Sequence, residues 1–472
     1  MRHFFSPISK LLSTLILLTA CLPANSYNDL SLPDFTRHQN ERSLSNNGYL
    51  LGQFWFRKIS GSNGLIEYPP AYNYLRQAAS EVLPQTGLNN KTLELALLNS
   101  RQTNAFVIPG NHLFLYSDIL RIIPNEATLM GLLAHEIAHL ELNHYERSIE
   151  NRKNEQGKAI MMLLAGLAAS ASGDGEATSA LWLGGMANQQ ENLLRYSRAH
   201  EHEADRRGRE LLERSGLPIT GMSELLGALS RQARGSNFPE YLSTHPLPQN
   251  RLSDTLNGQQ NQSVLFQPSS DGFQYFRASV LAYRAALEDS QAKQLLQRNI
   301  SDANEFYYAH ALALVLNHYP EQAQAELDKV QDSNDFIDYL AVIIALSNNQ
   351  VEQADAITKR RLALNPSDLT FRYLSGQVSQ TGNYLRVNND MLGYEQRMVY
   401  RHNIAIARQR GNDSYALYYH ALLEFARGNE RSAMHLIKRA ERESSGEQQQ
   451  EIHLKQQQLE QLMDAQKAES LE

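Results

Sequence analysis

His135-Glu136-Ile137-Ala138-His139 sits in a stretch whose apolar residues, Leu129, Leu132, Leu133, Ile137 and Leu140, recur at helical spacing. No other feature constrains the chain as much. Four residues of helix turn through about 400°, so both imidazoles leave one edge of a buried helix a turn apart, as two ligands of one metal ion must. Glu136 falls on the neighbouring edge, beside such a metal rather than on it. A carboxylate there is placed to take a proton from water, whose pKa a zinc ion lowers to about 7. The spacing predicts one zinc per chain, with His135 and His139 as ligands and Glu136 as general base.

A catalytic zinc needs a third protein ligand. His144 lies nine residues after His135, about 180° around a continuous helix, and no glycine after His139 supplies a break. The third ligand is therefore expected from a second helix, Gln190 to Arg214, closed by Gly216 and Pro218. Its inward stripe, Leu194, Ser197, Glu201, Ala204/Asp205, Gly208 and Leu211/Leu212, sets Glu201 and Asp205 among small and apolar residues. A buried carboxylate needs a metal or a donor to meet it. Glu201 as ligand with Asp205 one turn on, beside the site, satisfies both; ion pairs with Arg195, Arg198 or Arg206 are the alternative. His200 and His202 flank Glu201 off its face and read as solvated.

Around this pair of helices the chain reads as mainly α. Ala105 to Ile108 and Leu113 to Tyr116 are strand-like runs around Pro109-Gly110. Residues 27 to 70 form a polar lead-in that packs onto the next domain, and 253 to 272 a polar boundary. Beyond it, Tyr308 with Glu321-Gln322-Ala323 recurs as Tyr339 with Glu352-Gln353-Ala354, a shift of 31 residues. With a third unit around Ala416 to Ala440, this resembles degenerate tetratricopeptide repeats, capped by the Gln-rich stretch to Gln461; a helical bundle without repeats is the alternative. The expected organisation is a signal segment 1–26, a metal-binding domain 27–265 and a repeat domain 272–470; deletion of residues 275 to 472 is expected to leave the metal site able to fold while cellular function is lost.

Residues 1 to 26 carry Arg2, Lys10, the apolar run Leu11 to Ala20 and a small-residue end, the pattern of a bacterial export signal. Ala24-Asn25-Ser26 suits ordinary cleavage and a periplasmic protein, whereas Leu18-Thr19-Ala20-Cys21 suits a lipid anchor on Cys21. That cysteine is the only one, so no disulfide forms within the chain. A net charge of −7 excludes a nucleic-acid partner, and 42% apolar residues exclude a disordered chain. Ala159 to Ala187, interrupted by Ser172-Gly173-Asp174-Gly175, has halves too short to span a bilayer and reads as a core helix and loop, or as a lid between the ligand helices.

At these residues the chain resembles the M48 family of zinc metalloproteases. The match runs through Asn104-Ala105-Phe106, Pro109-Gly110, His135 to His139, Ser197-Arg198, Glu201 with Ala204-Asp205, and His245-Pro246 with Arg251. Asn111-His112 departs from it, standing where the family often has a second glycine. With the export signal and repeats, the resemblance points to the periplasmic branch that serves outer-membrane β-barrel assembly. It implies a zincin-type metalloprotease domain followed by tetratricopeptide-like helices. His135, His139 and Glu201 would bind zinc, with Glu136 as base and Asp205 as proton donor or support. The implied substrates are unfolded or misassembled outer-membrane proteins, and the implied partner is the β-barrel assembly machinery. A chaperone or scaffold with a silent metal site is the rival. His245 would lie near the metal, as oxyanion stabiliser or as a fourth ligand that plugs the open position; a surface role in its loop is the third possibility.

Overall fold

Asn46 caps the first helix of the structure, a computed structural model that describes residues 46–61, 64–150, 190–233, 272–379, 383–388 and 391–471, with Tyr241, His245, Arg251, Leu252, Asp254 and Thr255. The export segment, Cys21 and the stretch 159–187 lie outside the described residues, all of which belong to the unit Gln39–Glu472. Helix α1 (Asn47–Ser60) occupies the supposed lead-in, and Asn46 Oδ1 accepts from the Tyr49 amide. Pro69-Pro70 opens α2 (Pro69–Val82), where fixed φ and a missing N–H suit the first turn.

A three-stranded sheet follows in the order β1-β3-β2, with β1 (Glu94–Leu98) parallel to β3 (His112–Tyr116) and β2 (Ala105–Ile108) antiparallel to it. Strand β1 escaped the sequence reading because it is buried along its whole length and so shows no alternation. The β2–β3 turn holds Gly110 at φ 79° and Asn111 at φ 62°. Asparagine tolerates the left-handed region, so the departure at Asn111 keeps the turn that a second glycine would make. Period-two alternation splits the sheet's side chains: Leu95, Leu97, Leu113 and Leu115 enter the main core, while Phe106, Phe114 and Tyr116 pack on Trp55, Phe56 and Ile59 of α1.

Helix α3 (Glu126–Glu141) carries the histidine pair, and α4 (His144–Glu150) restarts immediately after it. Helices α5 (Gln190–Arg214) and α6 (Thr220–Ala233) cross α3 at close range. A Cβ on Gly221 would lie 1.9 Å from the Ala127 carbonyl oxygen, so only glycine permits that crossing. Among the described residues no helix is long and apolar enough to cross a membrane.

Helices α7 (Gly272–Ala286), α8 (Ala292–Asn299), α9 (Ala303–Leu316), α10 (Pro320–Leu327), α11 (Asp335–Ser347), α12 (Val351–Leu364) and α13 (Leu369–Ser379) continue the chain. Helices α14 (Gly393–Gln409), α15 (Asp413–Ala426), α16 (Glu430–Arg442) and α17 (Gly446–Leu471) complete it. Three hairpins, α9/α10, α11/α12 and α15/α16, share one turn. In each, a left-handed residue (His318, Asn349, Gly428) is followed by an amide that bonds back five residues, to Leu314, Ala345 and Glu424. Four residues after that amide comes a fully buried alanine, Ala323, Ala354 or Ala433. The echo at a shift of 31 residues is thus a repeated helical hairpin.

Both ends of this region join the elements around the sheet. Phe276 of α7 stacks on Tyr74 at 4.9 Å, and Arg284 donates to the buried Asp118 carboxylate at 2.9 Å. Arg57 of α1 donates to Glu430 and Gln466, while Arg397 of α14 donates to the Ser60 carbonyl oxygen. These buried contacts oppose the expectation that the metal site folds without the helices after residue 272.

Candidate metal centre

Asn125 caps α3 by accepting from the Thr128 amide at 2.8 Å, and the apolar residues read from the sequence anchor the helix in the core. His135 and His139 leave it a turn apart, with their Nε2 atoms 3.1 Å from each other. Glu201 arrives from α5, Oε2 3.4 Å from His135 Nε2 and Oε1 3.3 Å from His139 Nε2. Gly208 sets how closely α5 approaches, since a Cβ there would lie 3.3 Å from the Ala134 carbonyl oxygen and 2.8 Å from Met222 Cε. His245 completes the group, with Nδ1 3.1 Å from Glu201 Oε1 and 3.4 Å from His135 Nε2.

The four ligand atoms lie within 4.8 Å of one another. Zinc bonds of 2.0–2.1 Å at tetrahedral angles place ligand atoms about 3.3 Å apart. The five distances given above, which use both oxygens of Glu201, run from 3.1 to 3.4 Å. Three imidazoles and a carboxylate aim more lone pairs at one point than their protons can satisfy, and a cation resolves that excess. The donor set therefore fits the metal that the sequence predicts.

The surrounding charges are tightly paired. Arg251, 1% exposed, donates from Nε and Nη2 to the two oxygens of Asp205 at 2.7 and 2.8 Å and lies 2.9 Å from Glu201 Oε2 through Nη1. One planar guanidinium thus holds both carboxylates. Burial opposes ionisation of Asp205, but hydrogen bonds from Arg251 and His135 outweigh it and bring its pKa to about 2. Burial likewise opposes ionisation of Glu201, and the charges of His245 and Arg251 reverse the balance, holding it well below the usual carboxylate range. Burial works against protonation of His135, yet bonds to Asp205 and Glu201 raise it to about 10; burial brings His139 down to about 4.

Glu136 is fully buried, and burial raises its pKa. Its Oε1 accepts from Tyr241 Oη at 3.3 Å, while Oε2 has no hydrogen-bond partner among the described residues. A buried carboxylate oxygen without a donor, next to a metal position, is free to accept a proton from water. Tyr241 stacks on His245 at 4.4 Å, so the base and the fourth imidazole share one aromatic wall.

All six residues singled out in the sequence, Glu136, Asp205, His135, His139, Glu201 and His245, meet in this cluster. Among the described side chains, which do not include that of Arg195, the carboxylates pair with Arg251 and not with Arg198 or Arg206, and the role of Arg251 is one that the sequence does not announce. Two histidines are corrected. Asn143, at φ 51°, breaks the helix as a glycine would, and His144 returns so that its Nδ1 lies 2.8 Å from His139 Nδ1. His200 is not solvated: it is 4% exposed and stacks on His144 at 4.2 Å. Asparagine's tolerance of the left-handed region was the available signal for the break.

Residues 70–257 match the model of peptidase family M48. The chain is 28% identical over 349 residues to the beta-barrel assembly-enhancing protease of Escherichia coli, covering 71% of this chain and 72% of that one. It is 29% identical over 249 residues to the beta-barrel assembly-enhancing protease of Yersinia pestis, covering 52% and 51%. A mitochondrial metalloendopeptidase of Schizosaccharomyces pombe is 26% identical over 229 residues, covering 48% of this chain and 61% of its own.

Proposed function

We propose that this metalloendopeptidase, whose residues 70–257 form a peptidase family M48 domain, is a periplasmic zinc enzyme of outer-membrane β-barrel assembly that cleaves misfolded or stalled substrates. The observation that carries the reading is the convergence of His135, His139 and Glu201, whose facing atoms lie 3.1 to 3.4 Å apart, with an oxygen of Glu136 beside them that has no partner among the described residues. The relatives' names supply the process, β-barrel assembly; from it we take unfolded or misassembled outer-membrane proteins as the substrate class and the assembly machinery as the partner. In this reading residues 1–26 are a signal segment, 27–265 the protease domain and 272–470 tetratricopeptide-like hairpins that hold partners or substrates. Lipid attachment at Cys21 is the alternative to a free periplasmic chain.

Zinc held there would lower the pKa of a water and polarise the peptide carbonyl. Glu136 Oε2 takes the proton of the attacking water and returns it to the amine nitrogen of the broken bond. Asp205 Oδ1, 3.1 Å from His135 Nδ1, orients that ligand, and Arg251 fixes both Asp205 and Glu201. Strand β2 forms one edge of the described sheet, and a substrate segment added beside it gains main-chain hydrogen bonds with little regard to sequence. His245 fills the fourth position and so acts as a plug that substrate or a partner displaces.

A scaffold with a silent metal has one observation in its favour, because four ligands close a site as structural zinc does. Two substitutions separate the readings. Glu136→Gln is expected to keep one zinc and lose proteolysis by about 10²–10⁴-fold, and His245→Ala to raise basal proteolysis of an unfolded β-barrel protein. Full cellular function in Glu136→Gln would make proteolysis secondary, and a large loss in His245→Ala would make His245 an oxyanion stabiliser.

A further inference from the structure

Of the three histidines of the metal centre, the two from α3, His135 and His139, present Nε2 to the metal position, and each needs its other nitrogen held for that direction to persist. His135 has Asp205 for this purpose. At His139 the place is taken by a second imidazole: Nδ1 of His144 lies 2.8 Å away, and Nε2 of His144 lies 3.2 Å from Glu203 Oε2. Arg147 donates to that same oxygen at 2.7 Å. We propose that His144 and Glu203 are positioning residues, a histidine and carboxylate in series that hold His139 with Nε2 turned to the metal.

Proton placement fixes the order of the series. A ligating Nε2 must offer its lone pair, so the single N–H of neutral His139 is on Nδ1 and donates to His144. His144 must then accept at Nδ1 and carry its own N–H on Nε2, where Glu203 accepts. Each ring has one proton and one correct place for it. Two further features hold His144 in position. The left-handed Asn143 redirects the chain after Leu142, so the imidazole returns beside His139 instead of facing the opposite side of α3. The His200 ring covers it at 4.2 Å with an interplanar angle of 6°.

The series also couples helix docking to metal binding. Glu201 and Glu203 both come from α5, so one helix supplies a ligand and, two residues later, the support for another helix's ligand. Sliding α5 along α3 would loosen both at once. Glu203 is one-third exposed whereas Asp205 is buried with Arg251, so the His139 support is the weaker of the two.

The proposal rests on the reading that His135, His139 and Glu201 hold the metal, and full-length protein titrated with Zn2+ and with Co2+ tests the two separately. Wild type is expected to bind one Zn2+ per chain, and His139→Ala to bind far more weakly. No binding by wild type would sink that reading and the proposal with it. His144→Ala is expected to lower Zn2+ affinity by about 10–100-fold and to alter the visible spectrum of the Co2+ form. His144→Gln, which accepts at Oε1 and donates at Nε2, should restore most of the affinity. Wild-type affinity and spectrum in His144→Ala would overturn the proposal while leaving the ligands intact. Equal losses in the Ala and Gln variants, with an unchanged Co2+ spectrum, would also overturn it by assigning His144 a packing role. Should His144→Ala fail to fold, Glu203→Gln decides: a smaller loss of affinity is expected, and none refutes the series.

Discussion

The metal centre and the helical hairpins after residue 303 are both built where helices cross closely, but they place opposite kinds of residue at the crossing. Around His135 the crossing holds charge: Glu136, Glu201, Asp205 and Arg251 are all buried, and each is answered by a specific partner or by the metal position. In the hairpins it holds almost nothing, only Ala323, Ala354 and Ala433, each fully buried against its neighbouring helix. Charge at a crossing demands particular partners at particular distances. An alanine demands only that nothing larger take its place, so the hairpins could accept wide changes in sequence while the centre could not.

The contrast is broken most forcefully by asking whether the two regions stand apart. A chain ending at residue 271 loses Phe273, Tyr275 and Phe276 from the common core and leaves Asp118 without Arg284. Removing one large buried aromatic side chain costs about 3–5 kcal/mol, and whole domains are stable by only about 5–15 kcal/mol. This truncation is expected not to fold at 37 °C, whereas a chain ending at Asn299, which keeps α7 and α8, should recover part of the fold. Cooperative thermal unfolding and one bound zinc in the shorter chain would show that the regions are independent domains.

Acidity sharpens the comparison next, because it acts on the centre. Without metal, the bonds to Asp205 and Glu201 overcome burial and keep His135 protonated to about 10. Zinc must displace that proton, so affinity should rise by about tenfold per pH unit between pH 7 and 9 and level off above 10. By the same sign, the protonated ring contributes to the stability of the metal-free fold fully below its unfolded value, near 6.5, and that contribution is lost as pH rises through about 10. Competition titrations at pH 7, 8 and 9 measure the slope, and a flat profile would mean that His135 is already neutral.

The same difference explains what could be read in the sequence. His135, Glu136 and His139 declare themselves by spacing, and Glu201 and Asp205 by being acids on an apolar stripe. Arg251 was a motif residue without a role, since its distance along the chain from Asp205 hides a contact made only by folding. Asn143 breaks a helix that the sequence suggests is continuous, so His144 comes back beside His139 without joining the ligand group, and it covers His200, which reads from the sequence as solvated. In the hairpins the period was visible in Tyr308 and Tyr339, but their attachment to Tyr68 and the sheet was not, because apolar and aromatic residues do not say which partner they meet.

The smallest expected effect concerns the hairpin turn, where His318, Asn349 and Gly428 hold one left-handed conformation at φ 65°, 57° and 74°. A side chain in that region costs roughly 1–2 kcal/mol relative to glycine. Gly428→Ala should therefore lose stability, through that strain and a new Cβ 3.1 Å from the Arg57 carbonyl oxygen, less the roughly 0.4–1 kcal/mol that a stiffer unfolded chain returns. His318→Gly should act in the other direction. The strain it relieves is partly cancelled by the greater freedom that glycine gives the unfolded chain, about 0.4–1 kcal/mol, so a net gain of at most about 1.6 kcal/mol remains. Denaturant unfolding of the full-length variants reads both signs. A loss in His318→Gly would mean that the imidazole makes a contact there worth more than the strain, and the three turns would then not be equivalent.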